Sequence, residues 1–318
     1  MLSAWAVGGL FRPGSQAAGP LQWKRSFTLG TVSADEIAQH VFFSSNSLYF
    51  LKFHRLTQSS AVGCVGADGK NKWLWTLPPG VYTGLGVRPS GSVIVLLVGN
   101  GGLTINEYME DGRLLRSVQA ADGGAHTMVG DTLVSVDEDG SVQVRDFNRP
   151  GLTPRRYAKV LPRPEYPLMT PLSLHRVAMV DRMTAQIVYL DTITGSSILG
   201  RLDSPEIASS LSFYAEQMRA LQAGTHRGRR VLPGDPVIIG AVGADAHQNL
   251  YCFVLPYDPK QGALLLRVVE PDTIAEKIHC SLPSRGHGRA RTPNHLGVIG
   301  AELLLVYPDG EVIVYSLA

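Results

Sequence analysis

Hydrophobic positions in this chain come in short runs, alternating or wholly apolar, with turn-forming residues between them. Leu48–Phe53, Ala61–Val65 and Lys72–Leu77 form one group. Gly84–Val87, Ser92–Val98, Leu103–Met109 and Leu114–Val118 form the next, followed by His126–Val129, Thr132–Val136, Ser141–Phe147 and Arg156–Leu161. Then come Arg176–Val180, Gln186–Leu190 and Ser197–Leu202. After an interruption the pattern resumes with Val237–Val242, Leu250–Leu255, Leu264–Glu270 and Ile274–Cys280, and it closes with Leu296–Ile299, Glu302–Tyr307 and Glu311–Leu317. Val, Ile, Leu, Tyr and Phe dominate, at ordinary strand length, so each run predicts a β-strand. Asp68-Gly69, Asp111-Gly112, Asp139-Gly140 and Asp309-Gly310 sit between runs. Such pairs tolerate the positive φ of a tight hairpin, so neighbouring runs pair antiparallel.

The spacing of the groups decides the architecture. The last hairpin turn of successive groups falls at Asp68, Asp111, Asp146, Asp191 and Asp272, giving intervals of 43, 35, 45 and 81 residues. The long interval contains a segment without strand character, 203–236, and shortens to 47 without it. A period of about 40–45 residues with strands grouped in fours predicts an all-β propeller of six blades, with seven as the alternative. A sandwich would lack the grouping. The final group has only three runs. Leu21–Leu29 is expected to supply its fourth strand and close the ring, which protects open sheet edges. The expected organisation is a flexible segment 1–20 and a propeller over 21–318, with an insertion at 203–236.

That insertion predicts a helix over 205–221. Asp203 or Ser204 can cap it, Pro205 suits its first turn and Glu206 its positive end. Ile207, Leu211, Tyr214, Met218 and Leu221 recur at spacings of 4, 3, 4 and 3, forming one apolar stripe. The stripe can pack back on the propeller or present Ile207, Leu211, Tyr214 and Met218 to another protein.

Composition narrows the classes. The 318 residues are 44% hydrophobic and 18% charged, with net charge +2, so only local patches can attract nucleic acid or anionic membrane. No stretch approaches the ~20 apolar residues that cross a bilayer. Residues 1–34 hold Arg12, Lys24 and Arg25 and no acid, and no basic residue precedes the apolar run from Ala4. A cytoplasmic location is expected, with a mitochondrial matrix protein as the alternative. Cys64, Cys252 and Cys280 form no CxxC pair and suit buried thiols in a reducing compartment.

The turns resemble those of quinoprotein-like propeller repeats. Asp191-Thr-Ile-Thr-Gly195 fits their Asp-x-x-Thr-Gly turn after an apolar strand, and Asp68-Gly69 with Trp73, and Asp111-Gly112-Arg113, are looser versions. WD-type repeats match less well, since none of Trp5, Trp23, Trp73 or Trp75 precedes aspartate. The resemblance implies the repeat fold and the scaffold role of non-catalytic members. The adjacent cysteine pair of the enzymatic members is missing, so no cofactor is carried over.

Local chemistry is sparse. Asp137-Glu138-Asp139-Gly140 lacks the ligand count of a calcium loop and reads as a hairpin tip. His279, His287 and His295 are eight residues apart, unlike a zinc set. Gly99-Asn100-Gly101-Gly102 joins two strands and opens no helix, so it lacks a phosphate cradle. Two basic segments stand out: Arg227, Arg229 and Arg230, and Arg285, Arg289 and Arg291. Arginine grips carboxylate or phosphate through paired bonds, so these six are candidates for an acidic protein partner. Neither segment interleaves aromatics, which disfavours nucleic acid. The expected function is a non-catalytic interaction scaffold or subunit of an assembly. The alternative is a hydrolase or lyase working in the central channel.

Overall fold

A computed structural model describes residues 21–30, 35–44, 46–99, 102–120, 124–149, 153–161, 167–223, 239–255, 263–270, 275–280 and 292–317. Its strands form six four-stranded antiparallel sheets. After β1 (Gln22–Thr28), the first blade is β2 (Glu36–Ser44), β3 (Ser47–His54), β4 (Ser59–Gly66) and β5 (Asn71–Thr76). The second is β6 (Val81–Val87), β7 (Val93–Gly99), β8 (Gly102–Tyr108) and β9 (Leu114–Ala120). The third is β10 (Ala125–Val129), β11 (Thr132–Val136), β12 (Val142–Asp146) and β13 (Arg155–Tyr157). The fourth is β14 (Leu168–Pro171), β15 (Arg176–Val180), β16 (Gln186–Asp191) and β17 (Ser197–Arg201), and helix α1 (Pro205–Gln222) follows it. The fifth is β18 (Ile239–Ala244), β19 (Leu250–Val254), β20 (Ala263–Val268) and β21 (Ala275–Cys280). The sixth combines β22 (His295–Ile299), β23 (Glu302–Val306) and β24 (Glu311–Ser316) with β1 as its outermost strand.

The ring has six blades, which removes the seven-blade alternative. It closes as the sequence predicts: β1 pairs antiparallel with β24, from Gln22↔Ser316 to Thr28↔Glu311, with an irregularity between Trp23 and Arg25. Innermost strands β2, β6, β10, β14, β18 and β22 stand side by side around a central channel.

The core explains why the middle strands read as unbroken apolar runs. It is six separate clusters, one in each gap between neighbouring blades. Successive residues of a middle strand feed opposite gaps: Leu48 and Phe50 face the sixth blade, whereas Tyr49 and Leu51 face the second. A strand buried on both faces needs apolar residues at every position, not at alternate ones.

The Asp-Gly turns share one construction. Gly69, Gly112, Gly140 and Gly310 all have φ between 79° and 83°. In each, the preceding aspartate accepts a hydrogen bond from the amide two residues on: Lys70, Arg113, Ser141 and Glu311 respectively. The four-residue turn is thus set by glycine's freedom at positive φ and locked by a side-chain bond. At the acidic tip, Arg156 donates to Asp139 at 3.1 Å, so those carboxylates are held within their own hairpin region.

Two innermost strands, β2 and β14, belong to no apolar run noted in the sequence. β2 carries Gln39 and His40 at its centre with a register shift between Ala38 and His40. β14 is short and ends in Pro171. Both line the channel, where polar and irregular residues are tolerated.

Candidate functional site

The central channel holds a cavity of about 420 Å³, walled by residues from the innermost strands of all six blades. Its ionisable lining residues are His40 on β2, His126 on β10, His295 on β22 and Arg182, which reaches in from the β15–β16 turn. No aspartate or glutamate is among the lining residues described. Small residues let the blades close on one another here: a Cβ at Gly243 would lie 2.4 Å from the Leu296 carbonyl oxygen.

Each ionisable group is fixed by the wall behind it. His295 Nε2 is 3.2 Å from the Gln39 carbonyl oxygen, which makes that nitrogen the protonated one in the neutral ring. The adjacent Asn294 donates from Nδ2 to the Ala38 carbonyl at 3.1 Å, joining the sixth blade to the first. His126 Nδ1 lies 3.1 Å from Ser135 Oγ. Arg182 Nε donates to the Ile239 carbonyl at 3.2 Å, and among the described residues no carboxylate lies within ion-pair distance of it.

Burial dominates the electrostatics. Both His40 and His295 touch the lumen yet are otherwise enclosed by protein. Desolvation, and then the nearby His126, push His40 down to about 4. Desolvation and then His40 push His295 down to about 3, against an opposing effect of the Gln39 carbonyl, with Arg182 the least of the four. Arg182 is also held below its ordinary value by desolvation. At neutral pH the channel therefore carries neutral His40 and His295 beside one half-buried guanidinium.

Arg182 was not singled out in the sequence, although a signal for its turn exists. Asp181-Arg-Met-Thr-Ala185 repeats the pattern of Asp191-Thr-Ile-Thr-Gly195 ten residues on. In both turns the aspartate accepts bonds from the amides two and three residues later. Ala185 takes the positive φ, 57°, where the second turn uses Gly195 at 74°.

The residues named from sequence are distributed differently. Arg227, Arg229, Arg230, Arg285, Arg289 and Arg291 lie outside the described residues, as does His287. Helix α1 spans Pro205–Gln222, and Ser204 Oγ accepts a bond from the Ile207 amide at 3.1 Å, so Ser204 is the cap. Ile207 is only 1% exposed and joins the core between the fourth and fifth blades, with Leu211 packed against that cluster. Ile207 is therefore part of the propeller core and is unavailable to a partner. Tyr214 is half-buried, and the side chain of Met218 lies outside those described. Cys64 and Cys252 are buried free thiols, both pushed up chiefly by burial. Among the described residues no group of three or more His, Cys, Asp or Glu is arranged to hold a metal ion. No helix described is long and apolar enough to cross a membrane.

The molecule is a six-bladed β-propeller. No family model and no curated protein matches the chain by sequence. Among solved structures, the WD40 repeats of RRP9 share 11% identity at a TM-score of 0.57, covering 94% of this chain and 100% of that one. U3-55K gives 10% identity and a TM-score of 0.55 over 95% of this chain and 99% of its own. A catalytically inactive histidine-to-alanine variant of virginiamycin B lyase from Staphylococcus aureus, solved with quinupristin, gives 11% and 0.52 over 92% and 99%. At these identities the likeness is one of fold.

Proposed function

We propose that the chain is an interaction scaffold whose principal docking element is helix α1. The observation that carries this reading is the uneven seating of the helix. Its first two turns are fastened by Ser204, Ile207, Ser210 and Leu211, but from Leu211 onward no described residue of the helix is buried. Past Leu211 the described side chains, with Tyr214 on the apolar stripe among them, are half-buried or exposed. An amphipathic helix whose first turns are seated on a rigid platform suits recognition of a partner groove.

Topology supports a shared docking face. The segment after α1 and the segment 281–291 each connect an outermost strand to the next innermost strand, so their anchoring ends lie at the same rim. Their entry points are neighbours: a Cβ at Gly240 would lie 3.6 Å from Thr292 Cγ2. The six arginines of these segments are proposed to add selectivity for an acidic protein partner.

The test is comparative affinity capture with the intact chain, a chain lacking 203–236, and Tyr214→Asp. Partners lost in both variants, with the propeller still folded, support the reading. An unchanged set of partners contradicts it.

A second reading, a lyase or hydrolase in the channel, is favoured by the imidazoles that the fold gathers there. Substrate turnover abolished by His40→Asn or His295→Gln in a folded variant would place this reading first.

A further inference from the structure

Four positions capable of positive charge converge on the channel from four different blades: His40, His126, Arg182 and His295. Nothing acidic among the described lining offsets them. The carboxylates nearest in sequence are committed elsewhere. Asp181 accepts from the amides of Met183 and Thr184 within its own turn, and Glu36 on β2 pairs with Lys52 at 2.8 Å. Among the described residues, the half-buried Arg182 side chain therefore carries its charge to the channel with one backbone carbonyl as its hydrogen-bond partner. A guanidinium without a counter-ion is costly to enclose, and a protein maintains that cost most readily where a ligand relieves it.

We propose that the channel mouth at Arg182 is a binding site for a small oxyanion, a carboxylate or a phosphate monoester. The Nε bond to the Ile239 carbonyl fixes the guanidinium plane, and among the described residues nothing takes up the terminal nitrogens, which can form the paired bonds that such a group accepts. The cavity, about 420 Å³, lies within the ~300–1,000 Å³ typical of small-molecule sites. Size and charge together select an anion of metabolite dimensions. A cation is disfavoured by Arg182.

The imidazoles extend the site. His295 is electrostatically coupled to Arg182 and to His40, and His40 in turn to His126. Burial first, and then these neighbours, discourage protonation. An oxyanion beside Arg182 reverses the local field, so His295 and His40 take up protons and add charge-assisted bonds. Binding is thus coupled to proton uptake and strengthens as pH falls. This inference depends neither on the docking role of α1 nor on catalysis.

The test is a pH titration of the histidine side chains by NMR on the full chain, at matched ionic strength in chloride. It is repeated with inorganic phosphate and with succinate as probes. The expected result is an upward shift of the His295 and His40 pKa values by at least about one unit with one or both probes. Calorimetry should show roughly tenfold or greater weakening in Arg182→Gln. Arg182→Lys, which keeps the charge but loses the planar fork, should show an intermediate loss. Response to phosphate alone assigns the phosphate ester class, and response to succinate alone assigns carboxylates. Unchanged titration with both probes overturns the proposal. So does an equal response in a folded Arg182→Gln protein, or a response to Zn²⁺ with none to either anion.

Discussion

Arg25 on β1 grips Glu302 at the start of β23 through two N–H···O bonds of 3.0 and 2.6 Å. The same guanidinium donates at 2.8 Å to the carbonyl of Ala67, in the β4–β5 turn of the neighbouring blade. One side chain therefore fastens the N-terminal strand to the sixth blade and the sixth blade to the first. Strand pairing closes the ring, and Arg25 bolts the seam. Because both partners are partly exposed, Arg25→Ala is expected to cost only about 1 kcal/mol. The bond from Arg25 holds the Glu302 carboxyl below its ordinary value of 4.5. Its contribution is therefore complete above that value and fades as pH falls through the lower, folded-state value. Urea melts of wild type and Glu302→Gln between acidic and neutral pH should converge at the acid end.

A stronger effect is expected at Glu107 on β8. This carboxylate is buried and accepts bonds from Arg88 at 2.7 Å, Arg116 at 2.6 Å and Ser92. Burial opposes its ionisation, but those three bonds outweigh the penalty and keep its pKa below the ordinary value. Both arginines stack on the Phe147 ring of the third blade, at 5.5 and 3.9 Å from its centroid. Glu107→Ala strips Arg116 of its carboxylate partner and leaves Arg88 with Asp131 alone, and should cost about 3 kcal/mol, measured by chemical denaturation. A loss below about 1 kcal/mol would show that the network is incidental.

The channel imidazoles make stability depend on pH. His40 titrates at about 4 and His295 at about 3 in the folded chain, against an ordinary 6.5. Between 6.5 and those values the unfolded chain takes up protons that the folded chain refuses. Stability is therefore highest above roughly pH 7 and declines as pH falls toward 4. In anion-free buffer, His295→Gln should show a flatter Tm profile over that window than wild type. Identical profiles would mean that this histidine titrates normally.

How much of this was legible in the sequence follows from where each strand sits. Middle strands such as Leu48–Phe53 and Gln186–Leu190 are buried on both faces and announce themselves as apolar runs. Their Asp-Gly turns mark the hairpins, and the period gives the blade. The innermost strands carry the opposite demand. Gln39 and His40 on β2 and Pro171 on β14 face a polar lumen, so those strands lack a strong apolar signature. The lumen is also assembled from positions between about 40 and 295 in sequence, which no local motif records. The helix was readable because its cap and stripe are local. How far along it stays covered was not, because that depends on the core between the fourth and fifth blades.

The anchoring of the first turns of α1 can be separated from its later turns. Ile207→Ala empties a fully buried position and should cost about 2–4 kcal/mol, while Ser204→Ala should cost about 1 kcal/mol through the lost cap. Tyr214→Ala, past the buried turns, should fall within about 0.5 kcal/mol of wild type. Thermal denaturation of the three variants in parallel checks this ordering.

Amide hydrogen exchange across Pro205–Gln222 in the isolated protein tests the docking role of α1 most directly. Slow exchange through Leu211 and much faster exchange beyond Tyr214 is the expected profile. Uniform slow exchange to the end of the helix would mean that α1 is core along its whole length, and the scaffold reading built on it would fall.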